Sequence, residues 1–211
     1  MAHGNAMAQT VTGPVPVATL GITMLHEHIL CDLRDPLRRR TALPDPPITM
    51  ENRFEVDYFQ NRHQDNMLLD EDDVALAELR RYRADGGGAL VELSTGGLLP
   101  QPARLASLSK ASGVPIIMGA GFYTDAYLDR DTAEAPVETL ESMILAQLEA
   151  GAWGSEVRAG IIGEIGCSWP LQESEPRCLL AAARVQQRTG VAISIHPGRH
   201  AQAPDQIAAI M

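Results

Sequence analysis

The feature that most restricts what this chain can fold into is an alternation of apolar runs with amphipathic stretches of helical period. Runs at 20–30, 89–93, 114–119, 159–165 and 191–196 are nearly all apolar. A strand reads as continuously apolar when both faces of a parallel sheet are covered. Between the runs, apolar residues return every three or four positions, as a helix that buries one face requires. Asp70 to Asp73 suit a helix N-terminus, and Val74, Leu76, Leu79 and Tyr82 form the buried stripe of a helix ended by Gly86 to Gly88. Further helices are predicted over 103–111, closed by Gly113, and over 137–148, 176–188 and from 203 onward. Residues 8–19 read as a short hairpin or extended lead-in. Residues 31–69, rich in proline and charge, read as a long excursion with some helix around 52–66.

Five strands with helices between them allow two architectures, a (β/α)₈ barrel or an open doubly wound sheet. Periodicity does not separate them. The glycine pattern GxGxxG, expected after the first strand of a dinucleotide-binding sheet, does not follow Leu30. Suspicious polar residues instead sit at the ends of the first, fourth and fifth strands, where barrel chemistry gathers. The reading is therefore α/β, a TIM barrel of which about five βα units are present. It divides into a lead-in at 1–19 and a partial barrel at 20–211.

Composition narrows function by exclusion. A formal charge of −10 over 211 residues argues against nucleic acid or an anionic membrane surface as partner. The one basic cluster, Arg38 to Arg40, reads as a solvated loop. Three cysteines at 31, 167 and 178 match no zinc knuckle and suit a reducing compartment. With no signal peptide and no membrane-length apolar run, the expectation is a cytoplasmic protein acting on a small molecule.

The chemistry lies in four residues. In a strand, His26 and His28 share a face and Glu27 takes the other. Two imidazoles on one face could pair for packing or face solvent; among Ile22, Leu25, Ile29 and Leu30, burying them without a partner is costly, which favours half of a divalent-metal site. Glu164 sits inside the apolar run GIIGEIG, where a carboxylate needs a cation or an arginine partner. His196 ends a strand and precedes Pro197-Gly198; alone it could be a satisfied core histidine. Arg199 could grip a carboxylate, phosphate or sulfonate through paired hydrogen bonds, or make a surface salt bridge. Glu92 reads as support for a ligand rather than a ligand itself. Cys167 and Trp169 read as pocket walls, while His63 and His200 are expected to be exposed.

The segments LGITMLHEHIL (20–30), GGGALVELST (86–95), IIMGAGFY (116–123), GIIGEIGCSWPL (160–171) and SIHPGRH (194–200) resemble blocks of the phosphotriesterase-like amidohydrolases, above all the phosphotriesterase-related branch. The resemblance runs from about Gln9 to the last residue. It implies a (β/α)₈ barrel with two divalent cations, usually zinc, bridged by a hydroxide and a carboxylate. By resemblance His26 and His28 bind one cation, Glu164 bridges, and His196 binds the other. Many members bridge with a carboxylated lysine, but the only lysine, Lys110, falls on a predicted helix, so Glu164 takes that role. Tyr123 resembles the tyrosine of lactonase-type members, which faces the metals; it could also simply cap the barrel. Glu164 and Tyr123 are thus the candidate catalytic residues, and Tyr123 and Arg199 the candidate substrate contacts.

A full barrel takes ~250 residues. The family's further ligands, a histidine on strand 6 and an aspartate on strand 8, have no counterpart within this length. The resemblance implies hydrolysis of a small ester, lactone, amide or phosphoester. The alternative is a truncated, inactive barrel fragment with an interaction or regulatory role. Open sheet edges could be covered by a homodimer.

Overall fold

A computed structural model describes residues 6–36, 39, 45–59 and 63–211. The chain begins with the antiparallel hairpin β1 (Met7–Thr10) and β2 (Gly13–Pro16). Val11 follows β1 into the core, and its amide donates to the Ile116 carbonyl at 2.8 Å. The hairpin thus abuts the start of a central strand. β3 (Ile22–Glu27) comes next, then a short antiparallel pair, β4 (Cys31–Asp32) and β5 (Leu68–Leu69), with α1 (Arg53–Tyr58) between them.

From there the predicted rhythm holds. α2 (Asp72–Ala84) leads to β6 (Gly87–Glu92), α3 (Pro102–Ser112) to β7 (Ile116–Ala120), and α4 (Arg130–Glu134) with α5 (Val137–Glu149) to β8 (Ile161–Gly166). α6 (Glu175–Thr189), β9 (Ile193–His196) and α7 (Ala203–Ala208) complete it. The five long strands form one parallel sheet in the order β3-β6-β7-β8-β9. Strand order therefore follows chain order without reversal. A doubly wound sheet reverses direction at a switch point, so this order selects the partial barrel of the two architectures.

The core lies between the sheet and its helices. Ile116, Met118, Ile162 and Ile165 from the strands are fully buried with Leu105 of α3, Leu140 and Ile144 of α5, and Leu179 and Val185 of α6. Burying each such side chain contributes about 1.5–3 kcal/mol. Among the described residues no helix is long and apolar enough to cross a membrane.

Several expectations need correction. The first strand, read over 20–30 as buried, ends at Glu27 and is a sheet edge: Ile22 and Leu25 are 72% and 71% exposed. Its ladder with β6 slips between Met24 and Glu27, leaving His28 just past the strand. A groove of about 480 Å³, lined by Met24, Ile29, Leu69, Val74 and Leu90, runs along its outer side. Of the glycine triplet expected to end α2, Gly87 and Gly88 begin β6. His63, expected to be exposed, is buried, its Nε2 against the Pro46 carbonyl at 2.9 Å. Arg39 is not a solvated loop residue; it bonds the buried Asp32 and the Gly97 carbonyl, because a buried carboxylate needs a cation. Arg38 and Arg40 lie outside the described residues.

This packing predicts two opposite outcomes in urea unfolding. Ile162→Ala removes a fully buried side chain and should cost about 2–5 kcal/mol. Ile22→Ser, on the open side of β3, should change stability by less than about 0.5 kcal/mol.

Candidate metal centre

Glu164 is 1% exposed, yet both its oxygens meet imidazoles. His26 Nε2 lies 3.1 Å and His196 Nδ1 3.1 Å from Oε2, while His28 Nε2 lies 3.3 Å from Oε1. The His26 and His28 rings meet edge to face, 5.5 Å between centres. Three strand ends supply the four side chains: β3 and the residue after it, β8, and β9. Strands are ~4.8 Å apart, so in a flat sheet β3 would lie ~14 Å from β8. Contacts of about 3 Å between their side chains require a strongly curled sheet.

Local sequence sets the carboxylate in place. Gly163 has φ +107°, and a Cβ there would fall 2.1 Å from the Ser194 carbonyl oxygen, so only glycine lets β8 approach β9 at this point. The Thr95 hydroxyl donates to the Glu164 carbonyl at 3.0 Å. The Gly166 amide reaches the Phe122 carbonyl and the Cys167 amide the His196 carbonyl, anchoring the end of β8 on both sides.

Electrostatics follow from this crowding. Burial alone would raise the Glu164 carboxyl, but hydrogen bonds from His196 and His28 outweigh it and hold it down at about 2. Burial likewise opposes charge on His28, yet hydrogen bonds to Cys31 and Glu164 hold it up at about 10. Burial pushes the Glu92 carboxyl up to about 7. The Tyr123 hydroxyl is pushed upward too, by burial and then by the Glu164 charge, so it stays protonated and able to donate. It lies 3.4 Å from His196 Nε2, with the two rings edge to face.

The mouth is built by the loops after β8 and β9. His200 is exposed, as expected, and Trp169 stacks flat on it with 4.2 Å between ring centres. A Cβ on Gly198 would fall 2.7 Å from Trp169 Cβ, so the two loops touch only because position 198 is glycine. Arg199 is exposed and makes no ion pair with any described residue. Glu175, fully buried, was missed: it accepts from the Ser168 amide and hydroxyl and the Gln172 amide, at 2.8–2.9 Å, and shapes the loop bearing Trp169. Its position at a helix start, three residues after Gln172, was the available signal. Ser94 was also missed; its hydroxyl lies 3.0 Å from His28 Nδ1. Burial raises Cys167 and Cys178 to about 12, so both thiols are unreactive at neutral pH.

The donor set fits a divalent cation. One ligand atom each from His26, His28 and Glu164 lie within 4.8 Å of one another. Imidazole nitrogen with carboxylate oxygen is a zinc-type combination.

A parallel β/α partial barrel with such a constellation at its C-terminal strand ends defines a class of β/α-barrel proteins with a candidate metal centre. The chain belongs to the phosphotriesterase family, whose profile matches residues 6–211. It is 39% identical to the N-acetyltaurine hydrolases of Bos taurus and Homo sapiens, over 100% of this chain and 62% of each relative. The chain thus spans about 62% of the length of these curated relatives. Among solved structures, a resiniferatoxin-binding protein from Rhodobacter sphaeroides matches with a TM-score of 0.87 and 30% identity, over 97% of this chain and 58% of that one. A lactonase from Listeria monocytogenes shares the fold, with a TM-score of 0.76 at 19% identity, over 97% of this chain and 61% of that one.

The coupled charges predict a pH signature in the presence of a chelator. His28, raised from 6.5 to about 10 on folding, stabilises fully below pH 6.5 and loses its contribution as pH rises toward 10. Glu164, lowered from 4.5 to about 2, stabilises above pH 4.5 and loses its contribution as pH falls toward 2. The stability difference between the wild-type chain and His28→Asn should therefore be greatest between pH 4.5 and 6.5 and shrink toward pH 10. Urea midpoints across that range measure it; a difference that grows above pH 7 contradicts the assignment.

Proposed function

We propose that this chain carries most of the metal centre of a hydrolase that cleaves a small amide or ester bearing an acidic group. The observation that carries the reading is one buried carboxylate met by three imidazoles from two other strand ends. His26, His28, Glu164 and His196 would hold two divalent cations, zinc in the first instance, within a complete eight-stranded barrel. Bound there, the cations would supply a water acidified toward neutral pH and would polarise the scissile carbonyl.

The chain's other residues orient the substrate. Tyr123, buried and protonated beside His196, donates a hydrogen bond to the carbonyl oxygen. Arg199, with no carboxylate of its own among the described residues, pairs with an anionic substituent. The Trp169–His200 stack walls the side from which that substituent enters. In the hydrolysis the water oxygen bonds to the carbonyl carbon, the carbon–nitrogen or carbon–oxygen bond breaks, and the leaving group takes up a proton. Relatives named N-acetyltaurine hydrolases favour the amide, an acyl group on an aminosulfonate. A sulfonate or carboxylate two or three bonds from the amide nitrogen suits the unpaired guanidinium.

Two measurements test this. Elemental analysis of the purified chain should find zinc, and Glu164→Gln should abolish it. In a protein of the relatives' length that carries this chain, acetate release from N-acetyltaurine should depend on that zinc. Arg199→Ala should weaken kcat/KM by roughly 10- to 150-fold, as loss of a charged hydrogen bond worth about 1.5–3 kcal/mol implies, mostly through KM. Activity on uncharged amides should be the same before and after that change, whereas an unchanged kcat/KM on N-acetyltaurine would remove Arg199 from the site.

A further inference from the structure

We infer that Glu92 and Ser94 are positioning residues that lock the His28 ring with Nε2 turned toward the centre. The inference rests on the metal reading above and concerns two side chains that touch neither cation nor substrate. Glu92 closes β6 and is 0% exposed; Ser94, two residues on, is 1% exposed. The Ser94 amide donates to Glu92 Oε2 at 3.3 Å, which sets the Ser94 hydroxyl beside a carboxyl that burial raises and its proximity lowers. On its other side that hydroxyl lies 3.0 Å from His28 Nδ1. The Leu93 amide, between the two, donates to the Glu27 carbonyl at 2.9 Å, so this segment is registered against the strand that bears the histidines.

Proton placement gives the chain of bonds a direction. His28 Nε2 faces Glu164 and must keep a lone pair to hold a cation. The ring proton then resides on Nδ1, which donates to Ser94 Oγ. The serine, having accepted, turns its own proton to Glu92. The reverse order would place a proton on Nε2 and close the ligand position. Glu92 therefore ends the relay as its acceptor.

The location of Glu92 is costly without such a role. Its second oxygen, Oε1, is buried with no hydrogen-bond partner, and no arginine or lysine pairs with it among the described residues. A carboxyl used only for packing would leave a destabilising group that Leu or Gln could replace. Metal-binding histidines characteristically give their second N–H to a carboxylate or carbonyl, which fixes the ring and raises its basicity. Here one hydroxyl is interposed.

The test uses ¹⁵N-histidine-labelled protein, with and without zinc, in Ser94→Ala, Ser94→Thr and Glu92→Gln variants. The wild-type chain should show a His28 Nδ1–H signal in slow exchange with water. Ser94→Ala should lose it and weaken zinc binding, measured by chelator competition, by about 10- to 100-fold. Ser94→Thr keeps the hydroxyl and should retain both, a rescue that a loss of packing does not predict. Glu92→Gln is isosteric and should speed exchange of the signal and weaken zinc binding several-fold. It decides the matter if Ser94→Ala does not fold. A protected Nδ1–H and unchanged zinc affinity in Ser94→Ala or Glu92→Gln would overturn the inference. Should the wild-type chain take up no zinc, the metal reading fails, while the Nδ1–H signal still reports whether Ser94 orients the ring.

Discussion

The structure turns on a single desolvated carboxylate. Glu164 is almost wholly buried, and a charge in that position is tolerable only with opposite charge or strong donors beside it. Three imidazoles provide them, and to do so they arrive from strands that are not neighbours. The curl of the sheet, the glycine at 163 and the anchoring of the β8 exit all serve that meeting. Sheet geometry and site chemistry are therefore one problem here. A sheet of the same strands laid flat would leave Glu164 with His196 but without His26 and His28.

Around the carboxylate the side chains divide by distance from it. Imidazoles touch it; Tyr123 and Ser94 touch the imidazoles; Glu92 meets Ser94. Each outward step trades direct contact for control of a ring's orientation. The loops after β8 and β9 form the outermost ring, with Trp169 on His200 and Arg199 beside them. The chain belongs to the phosphotriesterase family, and the anionic substituent at its mouth belongs to our proposal, which relatives named N-acetyltaurine hydrolases favour.

Much of the fold was legible because its signals are local. The apolar runs at 89–93, 114–119 and 159–165 needed only their own composition to read as strands, and Gly113 ended a helix where expected. The histidines and Glu164 could be singled out because polar groups in apolar runs are expensive, whereas Tyr123 stood out only through the family resemblance. What the sequence hid depends on partners distant in the chain. That β3 is an exposed edge follows from sheet order, not from its own residues, which read as buried. His63 and Arg39 looked like loop residues, since the Pro46 carbonyl and the Asp32 carboxylate that hold them cannot be located by pattern. Ser94 is an ordinary serine until the fold sets its hydroxyl against His28.

Because His26 and His196 come from opposite margins of the sheet and yet reach the same oxygen, an ion held among them would tether the two ends of a long loop of chain. Closing such a loop costs conformational entropy that grows slowly with its length, and a cation bound only by the folded form offsets that cost in proportion to the logarithm of its concentration. Scarcity of metal would then loosen the architecture as well as silence the chemistry, and the margins would part first.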